Sequence, residues 1–299
     1  MTKYVGIIEQ FLKLTARLLW RSKKSAMQFV AWRPTMAKRV LFVVGCQKSG
    51  ATLLQKIFER ATNTKVYPEC SWLASRHKAT QLRLDPLPQV KVALDRDLAA
   101  LVVLQPLVDT QNILQLLRYF PGSKAVFLYR NYEDVAACVL KQFGRAVGIN
   151  DLRFIVSSQP DNWRTEHVTQ TVRDVIQTHF SESMNPCDAA ALFWYARNSL
   201  YFDLELSREP AVMLCKFEDL LIHPLATIRG IYDFVGVAFK ATPSLVRNMP
   251  DEPFDTECGI ELSAPVRELC AGLLARLDGA YRQQREAGRQ IVSSGSLAR

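Results

Sequence analysis

The stretch Arg39–Arg60 reads RVLFVVGCQKSGATLLQKIFER. Three kinds of local structure follow one another in it. Val40–Val44 is a short apolar run rich in β-branched residues, which predicts a buried strand. Gly45–Gly50 is a polar turn with two glycines and a lysine. From Ala51 the apolar residues Leu53, Leu54, Ile57 and Phe58 return at helical spacing. A strand feeding a helix through such a turn makes an anion site. The turn leaves backbone N–H groups open, and the helix N-terminus aims about half a positive charge at the same point. Lys48 adds a full charge, and the Ser49 and Thr52 hydroxyls are further donors.

One offset narrows the anion. A nucleotide P-loop reads G-x-x-x-x-G-K-[ST], its lysine directly after the second glycine. Here Gly45 and Gly50 keep that spacing, but Ala51 stands in the lysine position and the lysine is Lys48. The pattern [KR]-S-G-x-T-L after a strand resembles the 5′-phosphosulfate loop of sulfotransferases that use 3′-phosphoadenosine 5′-phosphosulfate (PAPS). Taken alone, the turn would serve equally well to join a strand to a helix with its lysine in solvent.

Two further segments extend the likeness. Lys124–Phe143 reads KAVFLYRNYEDVAACVLKQF. It is similar to the family segment in which an arginine closing a strand and a serine eight residues later hold the 3′-phosphate. Arg130 matches the arginine, and its planar fork suits a phosphate. Cys138 occupies the serine position, with a weaker donor. Lys216–Leu220, KFEDL, followed by HPLATIRGIYDFVG, resembles the segment after the family's last core strand and is mainly structural. Gln105 precedes Pro106 where related chains often carry lysine.

The resemblance implies a three-layer α/β/α fold with a central parallel sheet of about five strands and a P-loop-like phosphosulfate loop. It implies PAPS as sulfuryl donor, with no metal required. Donor contacts fall on Gln47, Lys48, Ser49, Gly50, Ala51, Thr52, Leu53, Arg130 and Cys138. Lys48 is the expected catalytic cation and Glu69 the expected base. Glu69 lies 21 residues after Lys48, beyond Pro68, at the end of a short strand. It resembles the catalytic glutamate of tyrosylprotein-type and many bacterial sulfotransferases, and an exposed turn glutamate is an equal reading. None of His77, His167, His179 and His223 sits in a catalytic pattern.

The rest of the chain is consistent with this and sets its limits. Apolar runs alternate with helical patterns throughout the 299 residues, which calls for parallel strands with helices on both faces. Expected helices cover Asp109–Tyr119, Asn131–Gly144, Val168–Phe180, Cys187–Leu206 and Pro224–Val235. The boundaries read as 1–35, an amphipathic basic helix with its connector; 36–282, the transferase domain; and 283–299, a flexible tail. A net charge of +9 suits an anionic ligand. No zinc-finger spacing or basic run interleaved with aromatics points to nucleic acid. Seven scattered cysteines read as free thiols of a cytoplasmic enzyme. Cys46, Cys70 and Cys138 adjoin the expected ligand contacts, which raises a redox-sensitive site as an expectation beside plain packing. Residues 3–24 read as a helix packed on the domain, or lying on an anionic membrane.

The acceptor is expected to bear a hydroxyl, whether carbohydrate, lipid, peptide or small metabolite. Segments 73–100 and 145–186 are expected to shape its pocket. Two rival readings remain at this stage. One is a P-loop kinase or NTPase, with Asp95 as the only acidic suggestion for a magnesium ligand. The other is a non-catalytic, membrane-apposed PAPS-binding protein of the same fold.

Overall fold

Five strands pair into one sheet: β1 (Arg39–Gly45), β2 (Thr64–Tyr67), β3 (Leu101–Leu104), β4 (Lys124–Tyr129) and β5 (Val212–Lys216). The structure, a computed structural model, describes residues 15, 19–33, 37–74, 82–239 and 259–296, with the backbone alone for 288–296. The strand order is β2-β3-β1-β4-β5 and every pairing is parallel. Parallel neighbours need crossovers, and the helices supply them.

Alternation along β1 assigns the two faces. Leu41 and Val43 join one apolar cluster with α2 (Ala51–Arg60), α9 (Phe217–Ile222) and α10 (Pro224–Val235). Phe42 and Val44 join the other, larger cluster. That second face carries α3 (Leu87–Arg96), α4 (Ile113–Tyr119), α5 (Tyr132–Phe143), α6 (Val147–Val156), α7 (Gln170–His179), α8 (Pro186–Asp203) and the long α11 (Ala264–Ser296). Three layers result, as expected.

The sheet order locates the site. From β1 the chain moves to the β2 side of the sheet, and from β4 it moves to the β5 side. Adjacent strands whose connections diverge leave a crevice at their carboxyl ends, where open α/β sheets bind ligands. Gly45 pairs with Leu128 there, so the turn after β1 and Arg130 after β4 face one crevice.

Several boundaries differ from the expected ones. Asp109 does not cap a helix: a 3-10 turn over Leu107–Asn112 precedes α4, and the Asp109 carboxylate accepts from the Leu84 N–H at 2.9 Å. The helix expected over Val168–Phe180 is α7, and α6 is a further helix in a stretch where none was expected. The tail beyond Gln283 is helical through Ser296 rather than frayed. Its Gln284 side chain accepts from the Leu214 N–H at 2.9 Å and donates to the Leu214 carbonyl at 3.3 Å. A side-chain amide thereby meets the backbone of edge strand β5, an interaction that polarity alone did not reveal.

Most of the expected N-terminal helix lies outside the described residues. The described part, α1 (residues 19–31), packs on the far end of α2. Lys24 donates to the Glu59 carbonyl at 2.8 Å and to Thr64 Oγ1 at 3.2 Å, and Gln28 donates to the carbonyls of Thr62 and Thr64 at 2.9 and 2.8 Å. Burial lowers the Lys24 ammonium to about 8, partly opposed by Glu59.

Candidate active site

A cleft of about 780 Å³ opens at the carboxyl ends of β1 and β4. Gln47, Lys48, Gly50, Ala51, Thr52 and Leu53 line it, with Glu69, Arg130 and Cys138. Eight of the nine expected donor-contact positions therefore reach one cavity. The exception is Ser49, buried beneath the turn with its Oγ unpartnered.

The turn owes its shape to its glycines. Gly45 has φ of 130°, and a Cβ there would lie 2.2 Å from the Leu128 carbonyl oxygen, so only glycine lets β1 and β4 close at this point. Gly50 has φ of 101°, and its Cβ would meet the Phe217 ring at 2.1 Å. Thr110 braces the strand end, its Oγ1 accepting from the Gly45 N–H at 3.0 Å. Beyond the turn, Leu53 and Leu54 donate to the Gly50 carbonyl at 3.0 and 3.1 Å, which leaves the Ala51 and Thr52 N–H groups at the start of α2 without intrahelical partners.

Lys48 sits in the turn at φ 68°, a left-handed conformation that aims its chain across the cleft. Its ammonium donates to Gln142 Oε1 and lies 4.6 Å from the Phe143 ring centroid. Burial lowers its pKa from the ordinary lysine value, and the neighbouring Cys138 and Glu69 oppose the shift. Across from it, burial pushes the Glu69 carboxyl up to about 7, against the pull of Lys48 and Arg197. Glu69 Oε1 is buried without a hydrogen-bond partner. An exposed turn glutamate would show neither feature.

Arg130 is 3% exposed. Its guanidinium lies 3.4 Å from the Asp134 carboxylate, 3.6 Å from Cys138 Sγ and 4.6 Å from the Phe217 ring centroid. The Trp194 indole donates to the Arg130 carbonyl at 3.0 Å, which fixes the strand end from α8. Glu218 accepts from the Asn131 N–H at 2.9 Å and ties the ends of β4 and β5 together.

Sequence reasoning missed part of this set. Phe217 belongs to the segment read as mainly structural, yet its ring packs between Gly50 and Arg130 and lines the cleft. Its place depends on the β4–β5 pairing, which no local pattern specifies. Lys141 was legible: it lies one turn beyond Cys138 on α5 and shares its face. Lys56 and Arg60 follow Thr52 at intervals of four on α2 and line the cleft as well. The lining thus holds Lys48, Lys56, Arg60, Arg130 and Lys141 against Glu69 among the described residues.

Other expectations are corrected. Gln105 does not face the cleft: it is 4% exposed and donates to the Ala51 carbonyl at 2.7 Å, so it anchors the start of α2. Cys46 turns into the core, where burial pushes its thiol up to about 12, unsuited to redox chemistry. Asp95 lies in α3 paired with Lys91 at 3.0 Å, and its carbonyl accepts from Lys38 at the amino end of β1, not at a carboxyl end where a ligand would bind. His167, His179 and His223 do not line the cleft, and His77 lies outside the described residues. The described parts of 73–100 and 145–186 do not line it either.

The family model for a sulfotransferase domain matches residues 38–255, almost three quarters of the chain. This chain belongs to the sulfotransferase domain family. The match holds both the turn after β1 and the Arg130 strand end. Solved structures similar to this chain are also sulfotransferases. The sulfotransferase domain from the curacin biosynthetic pathway has a TM-score of 0.53 at 15% identity, covering 82% of this chain and 99% of its own. A sulfotransferase from Alicyclobacillus acidocaldarius has a TM-score of 0.48 at 16% identity, covering 82% of this chain and 96% of its own. The sulfotransferase domain from the Synechococcus PCC 7002 olefin synthase has a TM-score of 0.45 at 16% identity, covering 83% and 98%. A search of curated protein sequences finds no match.

Proposed function

We propose that this sulfotransferase takes its sulfuryl group from PAPS and passes it to an acceptor hydroxyl, with Glu69 as base and Lys48 as the charge-stabilising cation. The observation that carries the reading is the pairing, in one cleft, of a carboxyl near neutrality whose Oε1 is buried and unpartnered with a lysine on the turn after β1. The cleft fits such a donor. Its lining is strongly cationic, and the helix start offers open donors beside Lys48.

The donor brings an electrophilic sulfur and a bisphosphate leaving group. The protein's own task is to hold, orient and neutralise. The turn Gln47–Leu53 and the α2 terminus hold the 5′-phosphate. Arg130 and Cys138 hold the 3′-phosphate, with Lys141 one helical turn away as a further cation. Lys48 faces the bridging and sulfonate oxygens, where charge builds in the transition state. Glu69 accepts the acceptor's proton at its free Oε1. A carboxyl tuned close to neutral pH is well matched to that transfer. Lysine meets the charge requirement that magnesium meets in phosphoryl transfer, so the scheme calls for no metal. The acceptor is a hydroxyl compound.

Calorimetric titration with adenosine 3′,5′-bisphosphate in chelator, beside ATP with magnesium, tests the reading. The expected result is metal-free bisphosphate binding that Lys48→Ala weakens by about tenfold or more. Binding of magnesium ATP alone would overturn it and favour a kinase.

A further inference from the structure

Helix α1 is amphipathic the wrong way round for a helix in water. Trp20, Lys24 and Gln28 are spaced by four residues and share one face, and that polar face turns into the protein. Its donors go to the carbonyls of Glu59, Thr62 and Thr64, groups that the end of α2 and the start of β2 leave over. The opposite face turns outward. Met27 and Trp32, three and four residues after Lys24 and Gln28, flank the inward face, whereas Leu19, Phe29 and Val30 face outward and are 71%, 71% and 73% exposed. Ala26 lies between them on the same face, and the helix is about 20 Å long. Single exposed apolar residues need no explanation, but a contiguous apolar row opposite a polar anchor does.

Charge selects the occupant. No Asp or Glu occurs between Glu9 and Glu59, whereas Lys13, Arg17, Arg21, Lys23, Lys24, Arg33 and Lys38 fall in the same stretch. Arg21, Lys23 and Arg33 are exposed around the apolar row. A second copy of this chain would bring the same uncompensated cations against themselves across a two-fold axis. An anionic lipid surface answers both features at once: acyl chains take the apolar row and headgroups take the cations. No described helix is long and apolar enough to cross a bilayer, so the contact lies in the plane of the surface.

We infer that the outward face of α1 docks this sulfotransferase on an anionic membrane surface, with Leu19, Phe29 and Val30 inserted and Arg21, Lys23 and Arg33 on the headgroups. The inference is independent of the donor and of the roles of Lys48 and Glu69.

Flotation of the full chain with vesicles tests it. Vesicles of phosphatidylcholine with about a third phosphatidylglycerol should carry the protein, and phosphatidylcholine alone should not. Lys23→Glu should weaken the anionic binding by about fivefold or more, and raised salt should weaken it further. The double variant Phe29→Asp, Val30→Asp should abolish flotation while keeping the wild-type thermal midpoint, since both side chains are exposed. Absence of flotation on anionic vesicles at low salt overturns the inference. So does equal binding to neutral vesicles, or a dimer in sedimentation that the double variant disperses, which would make the face a protein interface.

Discussion

Glu69 carries opposite consequences for stability and for catalysis. Its folded-state pKa is raised to about 7 by burial, whereas in the unfolded chain it titrates in the ordinary carboxylate range. Between those two values the folded state keeps a proton that the unfolded state has lost. Stability therefore falls as pH rises through this window, and the whole penalty is present above about 7. Removing the charge with Glu69→Gln should stabilise the protein at pH 8, by an amount on the order of 3 kcal/mol, and by nothing measurable at pH 4. The same change should lower kcat by about a hundredfold or more, while bisphosphate binding is largely kept. In the wild type, kcat should climb with pH through about 7 as the base ionises. Thermal midpoints at two pH values and a pH–rate profile check both halves. A variant with full turnover at pH 8 would remove Glu69 from the mechanism.

The element that sets the site is the β1–turn–α2 unit, and Phe217 clamps it from outside. Gly50 has both a left-handed φ and a phenyl ring where its Cβ would be. Phe217 is 1% exposed and is packed between Gly50 and Arg130, so a Cβ at residue 50 must displace the ring. Gly50→Ala should therefore cost about 3 kcal/mol or more in denaturant unfolding, by backbone strain and overpacking together. It should also weaken bisphosphate binding, because the displaced ring is the surface on which the Arg130 guanidinium rests. Unchanged stability would mean that the turn tolerates a side chain and that the clamp is absent. The strand, turn and helix of this unit were readable from Val40 to Phe58, since each depends on residues adjacent in sequence. The clamp was not, because residue 217 reaches Gly50 only through the order β1-β4-β5.

Across the whole molecule, α11 closes the β5 edge of the sheet. Gln284 meets the Leu214 backbone, Arg285 lies 2.5 Å from the Asp219 carboxylate, and Asp278 accepts from Tyr129 and Lys216 at 2.8 Å each. These contacts reach the ends of β4 and β5, beside Arg130 and Phe217. A chain ending at Arg282 keeps Asp278 but loses Gln284 and Arg285. Its stability should fall by about 2 kcal/mol, and its exposed strand edge should promote association. Chemical denaturation with sedimentation measures both effects. An unchanged midpoint would show that the last turns of α11 do not hold the edge.

The sequence by itself determined what neighbouring residues determine. Alternating strand and helix patterns called for a parallel sheet, and the glycine spacing with Lys48 called for an anion turn after β1. Arg130 at a strand end and Glu69 beyond Pro68 were named through the resemblance of their segments to the sulfotransferase family. The tertiary structure decided what depends on which distant groups are brought together. It buried Glu69, the source of its raised pKa. It turned Gln105 onto the Ala51 carbonyl, buried Cys46 in the core and placed Phe217 between Gly50 and Arg130. It also oriented α1 with its polar face inward, which no helical periodicity could state, since periodicity defines a helix's faces but not their neighbours. Backbone geometry and donor supply are local quantities. Desolvation and packing are set by the residues that the fold brings close.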